Sequence, residues 1–130
     1  MPKKDIDRVV SVWRAAGRPW TSYCADEIND LRLVLVQKDE FEDLCLRSLC
    51  DSKIKIMGCG EACWQYINNS IVIGEEYDSP GHRAHELLHW LQFCAESYQD
   101  FFHEDIGVWG PPMGNRLYGG KGGLLEKLGG

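Results

Sequence analysis

The sequence predicts an α+β fold, in which a small, mostly antiparallel sheet packs on an N-terminal helix and on a second helix that begins near residue 80. Apolar residues recur at helical spacing in both helical segments, and short runs rich in β-branched residues lie between them. With 130 residues and 44% hydrophobic content, the chain suits one domain with one core. We therefore predict a single domain at residues 1–118, followed by a glycine-rich flexible tail at residues 119–130.

The start of the chain is predicted to be helical. Within residues 5–16, Ile6, Val9 and Trp13 recur at the spacing that places them on one face of a helix. Gly17 follows directly, and glycine commonly ends a helix because it adopts the left-handed backbone conformation without a steric penalty. This helix is expected to bury its apolar face against the rest of the core.

The segment before residue 60 carries a predicted strand, helix and strand in that order. Residues 32–36 form a short apolar run with β-branched side chains, which suits a strand inside a sheet. Apolar residues recur at helical spacing in 39–50, and isoleucine alternates with lysine in 52–57, as in a strand with one solvent-facing side.

A β-hairpin is predicted directly afterwards. Two β-rich runs, residues 64–67 and 70–74, flank the pair Asn68 and Asn69. Asparagine tolerates the positive φ that a two-residue hairpin turn requires. With this hairpin, the sheet is expected to be mostly antiparallel.

The helix that begins near residue 80 carries the clearest motif in the sequence. Ser79 can cap its first turn, and Pro80 suits the first helical position. A helix turns about 100° and rises about 1.5 Å per residue, so His85 and His89 lie on nearly one face, one turn apart. At this spacing two imidazoles can bind one metal ion.

Glu86 lies beside the first of these histidines in the run His85-Glu86-Leu87-Leu88-His89. The pattern H-E-x-x-H is typical of zinc hydrolases, in which zinc lowers the pKa of a water molecule and the glutamate takes its proton. The two leucines suit a helix whose other side faces the core. The motif therefore predicts a zinc site with His85 and His89 as ligands and Glu86 as the catalytic residue.

A catalytic zinc ion needs a third protein ligand. Glu96 is seven residues beyond His89, about 10 Å farther along a straight helix, and is therefore too distant. His103 is the preferred third ligand, because the thirteen residues between it and His89 allow the helix to end and the chain to turn back. The alternative third ligands are Glu104, Asp105, Glu126 and His82.

This arrangement resembles the SprT-like zinc peptidases, and also short H-E-x-x-H proteins of bacterial and phage genomes. The resemblance covers roughly residues 70–109 and depends on the motif, the strand before it, and His103 at a closely similar distance. It implies a minimal zincin-like domain with zinc as cofactor and His103 as third ligand. In SprT-like proteins a glycine commonly follows the third histidine, whereas Glu104 follows it here, and their basic DNA-binding portion has no counterpart in this chain.

The resemblance further implies a metallopeptidase that acts on a protein or peptide substrate, with Glu86 activating the attacking water. In zincins generally an edge strand pairs with extended substrate, and residues 70–74 are the candidate for that strand. The alternative function is a non-catalytic, zinc-stabilised binding domain. The presence of Glu86 favours catalysis, because a structural zinc site needs no base beside its first ligand.

Charge and composition narrow the range of partners. The formal charge of −6 makes nucleic acid and anionic membranes poor partners. No run approaches the roughly 20 apolar residues of a membrane span, and the N-terminus lacks the core of a signal peptide, so a soluble, cytoplasmic protein is expected. The six cysteines are accordingly expected to be reduced. The alternatives are disulfides, or a second zinc site at Cys45, Cys50, Cys59 and Cys63.

Overall fold

The structure, a computed structural model, describes residues 1–37, 62–65, 69–100, 103–111 and 121–129, with 62–65 described by their backbone. Its helices are α1 (Lys3–Ala15), α2 (Ser22–Glu27), α3 (Pro80–Glu96), α4 (Ile106–Trp109) and α5 (Leu124–Lys127). Its strands are β1 (Arg32–Val36), β2 (Ala62–Gln65) and β3 (Ser70–Gly74). Within these ranges no helix is long and apolar enough to cross a membrane. The predicted helix at 39–50 and strand at 52–57 lie outside the described residues.

The three strands form one mixed sheet in the order β1-β3-β2. β1 runs parallel to β3, whereas β2 runs antiparallel to it. The prediction of a mostly antiparallel sheet is therefore wrong, although the described chain does combine helices and a sheet in an α+β arrangement. A parallel pair requires a long crossover, and the chain between β1 and β3 includes β2 as part of that connection.

The antiparallel pairing of β2 with β3 is confirmed, but its register differs from the predicted one: Gln65 lies opposite Ser70, whereas a two-residue turn at Asn68 and Asn69 would place residue 67 there. Asn69 has a φ of 45°, as expected for an asparagine beside a hairpin strand. All five residues of β3 are buried, and a strand pairs with it on either side. β3 therefore cannot be the edge strand predicted to pair with an extended substrate.

Helix α1 packs against α3 and has nearly the predicted bounds. Val9 and Trp13 are buried on its inner face, and Gly17 turns the chain at a φ of 75° just after the helix. Leu87 and Leu91 of α3 are fully buried in the same core. Because this apolar face holds α3 in place, its opposite face can present polar side chains in fixed positions.

Residues 121–129, part of the predicted flexible tail, pack into the core. Leu124, Leu125 and Leu128 are at most 4% exposed, and α5 contacts α1, α3 and α4. A side chain at Gly123 would overlap the backbone carbonyl of Val108, so the two backbones can touch only because this residue is glycine. Gly123, one of the glycines that suggested flexibility, therefore serves close packing.

A disulfide between Cys24 and Cys94 joins α2 to α3. The expectation of reduced cysteines is wrong for this pair, and the side chains of the other four cysteines lie outside the described residues. Disulfides persist in oxidising compartments and are rare in the cytosol. The pairing therefore weighs against the predicted cytoplasmic location.

Candidate metal centre

Helix α3 carries both motif histidines, and it begins where the sequence predicts. The Ser79 hydroxyl accepts a hydrogen bond from the backbone N–H of His82 at 3.1 Å, and Pro80 is the first helical residue. The helix is continuous from there through the motif. His85 and His89 therefore lie one turn apart, with ring centroids separated by 5.0 Å.

A third histidine reaches the same place from the segment after α3. The helix ends at Ser97, whose left-handed conformation, with a φ of 53°, turns the chain back. His103 then places its Nε2 atom 3.0 Å from Nε2 of His85 and 3.1 Å from Nε2 of His89. The structure thus brings together the three residues that the sequence analysis selects as metal ligands.

The chemistry of this donor set fits a metal ion. One ring nitrogen from each partly buried histidine lies within 4.8 Å of the others. Nitrogens bound to one tetrahedral zinc ion at about 2.0–2.1 Å would lie about 3.4 Å apart, close to the two separations at His103. A neutral imidazole carries one N–H, so hydrogen bonding cannot satisfy all these contacts equally, whereas one cation can bind all three lone pairs. The three histidines could therefore bind a metal ion.

The indole of Trp109 forms one wall of the cluster. Its ring centroid lies 4.7 Å from that of His85, 4.5 Å from that of His89 and 4.7 Å from that of His103. Trp109 is fully buried, and its Nε1–H donates to the Asp100 carboxylate at 2.8 Å. The indole therefore restricts the orientation of all three imidazoles and excludes water from that side.

Burial keeps the three imidazoles neutral at pH 7. It lowers the pKa of His85 and that of His89 well below the usual value, and the neighbouring histidines add to this effect. The pKa of His103 falls to about 4 through burial, which the charge of Asp100 partly opposes. A metal ion binds the neutral form of imidazole, so the ring nitrogens are available as ligands at neutral pH.

Glu86 lies at the flank of the face formed by the two helical histidines. Its position on the helix is about 60° from His89 and about 100° from His85. The residue is 7% exposed, and burial raises the pKa of its carboxyl group to about 8. A nearby divalent cation favours the carboxylate and would lower this pKa. A group with a pKa near neutrality can both accept and release a proton.

No protein-family model, curated protein or solved structure matches the chain. No family membership therefore follows from these comparisons. What the site can do has to be inferred from the histidine cluster, from Glu86 and from the groups that hold them.

Neither of the two acidic alternatives next to His103, Glu104 and Asp105, belongs to the metal-ligand group. Asp105 and Glu96 both pair with the guanidinium of Arg18, and the Glu104 side chain is exposed. Arg18 therefore connects the end of α3 to the residue that caps α4. Within the described part of the chain, the metal-ligand group contains only histidines.

The two more distant alternatives also have other contacts. The Glu126 carboxylate accepts a hydrogen bond from the backbone N–H of Gly122 at 2.6 Å, and so closes the turn before α5. His82 places its Nδ1 atom 2.9 Å from the Ser79 hydroxyl oxygen at the start of α3. Neither side chain belongs to the histidine cluster.

Two residues that support the site were not selected from the sequence as part of it. Asp100 carries no motif, and Trp109 is one of several aromatic residues whose spacing suggests ordinary core packing. Their contacts with each other and with the histidines depend on how the chain folds after α3. An aspartate shortly before a candidate ligand is a weak signal, because aspartate commonly accepts hydrogen bonds from nearby backbone N–H groups.

Proposed function

We propose that this protein is a zinc metallopeptidase in which His85, His89 and His103 hold the zinc ion and Glu86 is the catalytic base. One observation carries the proposal: the three Nε2 atoms converge, and a buried glutamate directly follows the first of these histidines on the same helix. Three protein ligands with a carboxylate at their flank form a set used by catalytic zinc sites. The resemblance to SprT-like peptidases adds the expectation that the bond cleaved is a peptide bond.

Zinc is the metal that this ligand set favours. Imidazole suits zinc, copper, iron and nickel, and the H-E-x-x-H pattern favours zinc among them. The described residues offer three ligands, which is the number of protein ligands that catalytic zinc sites use. When bound, zinc would supply Lewis acidity, which lowers the pKa of a water molecule and polarises the scissile carbonyl.

Glu86 has the properties that the proton transfers require. It would take a proton from the attacking water as the new C–O bond forms, and donate a proton to the amine nitrogen as the C–N bond breaks. Both steps proceed best when the pKa of the group lies near the working pH. Burial moves the pKa of Glu86 towards that range.

The proposed substrate is a protein or peptide. A formal charge of −6 disfavours nucleic acid as the substrate, because phosphate groups would be repelled. A zinc-stabilised binding domain is the competing function, and it requires no base beside the ligands. Cleavage that depends on Glu86 therefore separates the two functions.

The test compares wild-type protein with Glu86→Gln, each loaded with zinc and incubated with an unfolded, fluorescently labelled protein. Both proteins are expected to bind about one zinc ion, because the substitution leaves all three histidines in place. Cleavage by Glu86→Gln should be at least roughly 100-fold slower, since general acid–base catalysis contributes about 10²–10⁴-fold. Fluorescence release gives the rate, and metal analysis gives the zinc content.

A matched control is Glu76→Gln, which makes the same change at an exposed position outside α3. This variant should cleave at the wild-type rate. Equal rates for wild type and Glu86→Gln would remove Glu86 from the mechanism. A wild-type protein that binds zinc but cleaves none of a broad set of unfolded substrates would favour the binding domain.

A further inference from the structure

Asp100 holds the backbone that carries the third histidine. Three consecutive backbone N–H groups donate to this one residue. The N–H of His103 donates to the Asp100 carbonyl at 3.2 Å, and those of Glu104 and Asp105 donate to its carboxylate at 2.7 and 3.0 Å. The Asp100 carboxylate therefore fixes the path of the chain immediately after His103.

The same carboxylate is hydrogen-bonded to the helix that carries His85 and His89 and to the indole that packs on all three histidines. It accepts hydrogen bonds from Nε2 of Gln92, three residues after His89 on α3, at 3.1 Å and from Nε1 of Trp109 at 2.8 Å. The Tyr98 hydroxyl donates to it at 3.2 Å. Asp100 thus joins the helix of the first two ligands, the segment of the third, and the indole that packs on all three.

His103 has a backbone conformation that needs such support. Its φ is 57°, in the left-handed region that residues other than glycine adopt uncommonly. Asp100 is 2% exposed, and burial raises the pKa of its carboxyl group, but hydrogen bonds from two backbone and two side-chain N–H groups outweigh burial and lower this pKa, so the group is ionised at neutral pH. Hydrogen bonds to an ionised acceptor are stronger than neutral ones and can hold this conformation.

We propose that Asp100 is a positioning residue of the metal centre: it presents His103 to the ion through the backbone and orients the imidazoles through Trp109. The inference depends on the proposed function in one respect, namely that the three histidines hold a metal ion. Because the Asp100 carboxylate is ionised, its negative charge also partly balances that of a divalent cation bound by the three histidines. Asp100 does not itself belong to the ligand group.

The experiment measures metal binding by Asp100→Asn. The substitution keeps the shape of the side chain but removes its charge and replaces one acceptor with a donor that faces N–H groups. The zinc dissociation constant should rise by about 10- to 100-fold, as is usual when a group that orients a ligand is lost. The absorption spectrum with Co²⁺ in place of zinc should move towards that of His103→Ala, because the third imidazole is lost from the ion.

Two control variants separate positioning from general destabilisation. Tyr98→Phe removes the one donor to Asp100 that comes from an exposed side chain, and it should bind zinc like wild type. Leu128→Ala opens a cavity in the core without touching the histidine cluster, and its Co²⁺ spectrum should match wild type although it unfolds more easily.

A folded Asp100→Asn protein with wild-type zinc affinity and a wild-type Co²⁺ spectrum overturns the inference and leaves the proposed function intact. A wild-type protein that binds no zinc overturns both. Should Asp100→Asn fail to fold, Gln92→Met decides, since it keeps the length of the side chain and removes one donor to Asp100 without altering the indole that packs on the histidines. Weaker zinc binding by that variant supports the inference, and unchanged binding overturns it.

Discussion

Glu86, the proposed catalytic base, is buried in a way that makes the stability of the metal-free protein depend on pH. Its carboxyl group is buried, so the charged form is disfavoured in the folded protein without metal, whereas the unfolded chain exposes it to water. Between the unfolded pKa of about 4.5 and the folded pKa of about 8, the folded state holds a proton that the unfolded state has released. The stability contributed by this group therefore falls as the pH rises through that window.

We predict that Glu86→Gln removes this loss of stability in protein kept metal-free with a chelator. The free energy of unfolding of wild type should fall relative to that of the variant by about 1.4 kcal/mol per pH unit between about pH 5 and pH 7. The histidines titrate in both proteins, so the difference isolates Glu86. Urea unfolding at several pH values measures it, and parallel pH profiles would contradict the account.

The residues of the site differ in how far the sequence could specify them. His85, Glu86 and His89 follow from helical geometry alone, because their spacing puts them on neighbouring positions of one continuous helix. The sequence favours His103 as the third ligand without excluding the alternatives, because the position of His103 in space depends on where α3 ends. Asp100 could not be foreseen, because its role arises from backbone groups that converge on it after the chain has turned.

At the scale of elements, local signals predicted the two long helices, α1 and α3, but not the short helices α2 and α4 or the direction of β1. Ser79 and Pro80 mark the start of α3 through capping and a preset φ, both of which are local effects. The direction of β1 relative to β3 depends on a crossover of more than thirty residues, about which local pattern says nothing. One signal was available: residues 71–73 are apolar without alternation, which is typical of a strand covered on both faces.

The disulfide is the strongest single connection between α2 and the helix of the metal centre. Cys24 and Cys94 are 70 residues apart. Closing a loop of that length lowers the entropy of the unfolded chain and so raises the free energy of unfolding by about 4 kcal/mol at 25 °C. We predict that Cys24→Ser/Cys94→Ser lowers the melting temperature by roughly 15 °C. Thermal unfolding monitored by circular dichroism tests this, with reductant-treated wild type as the comparison. Equal melting temperatures of oxidised wild type and the double variant would show that the pair is not joined in solution.

At the scale of the whole molecule, residues far apart in the sequence complete both the core and the site. Composition indicated a flexible end to the chain, because six glycines lie between residues 119 and 130. The structure instead places Leu124, Leu125 and Leu128 in the core with Trp13 of α1. Glycine has two physical uses, flexibility and close backbone approach, and composition alone cannot distinguish them.

Metal binding should stabilise the entire fold, because the ligands come from α3 and from the separate segment that carries His103. A ligand that binds only the folded state stabilises it by an amount that grows with its concentration, about 2.7 kcal/mol at 100 times the dissociation constant. Zinc should therefore raise the melting temperature of wild type. His103→Ala should lose most of this shift, while Glu104→Ala, which changes an exposed neighbour, should keep it.

The most direct test of the central claim is the zinc content of wild type and these two variants after dialysis against a weak chelator. The three-histidine site predicts about one zinc ion per chain in wild type and in Glu104→Ala, and little or none in His103→Ala. A wild-type chain without zinc, or a folded His103→Ala chain that retains it fully, would contradict the claim that these three histidines form the metal centre.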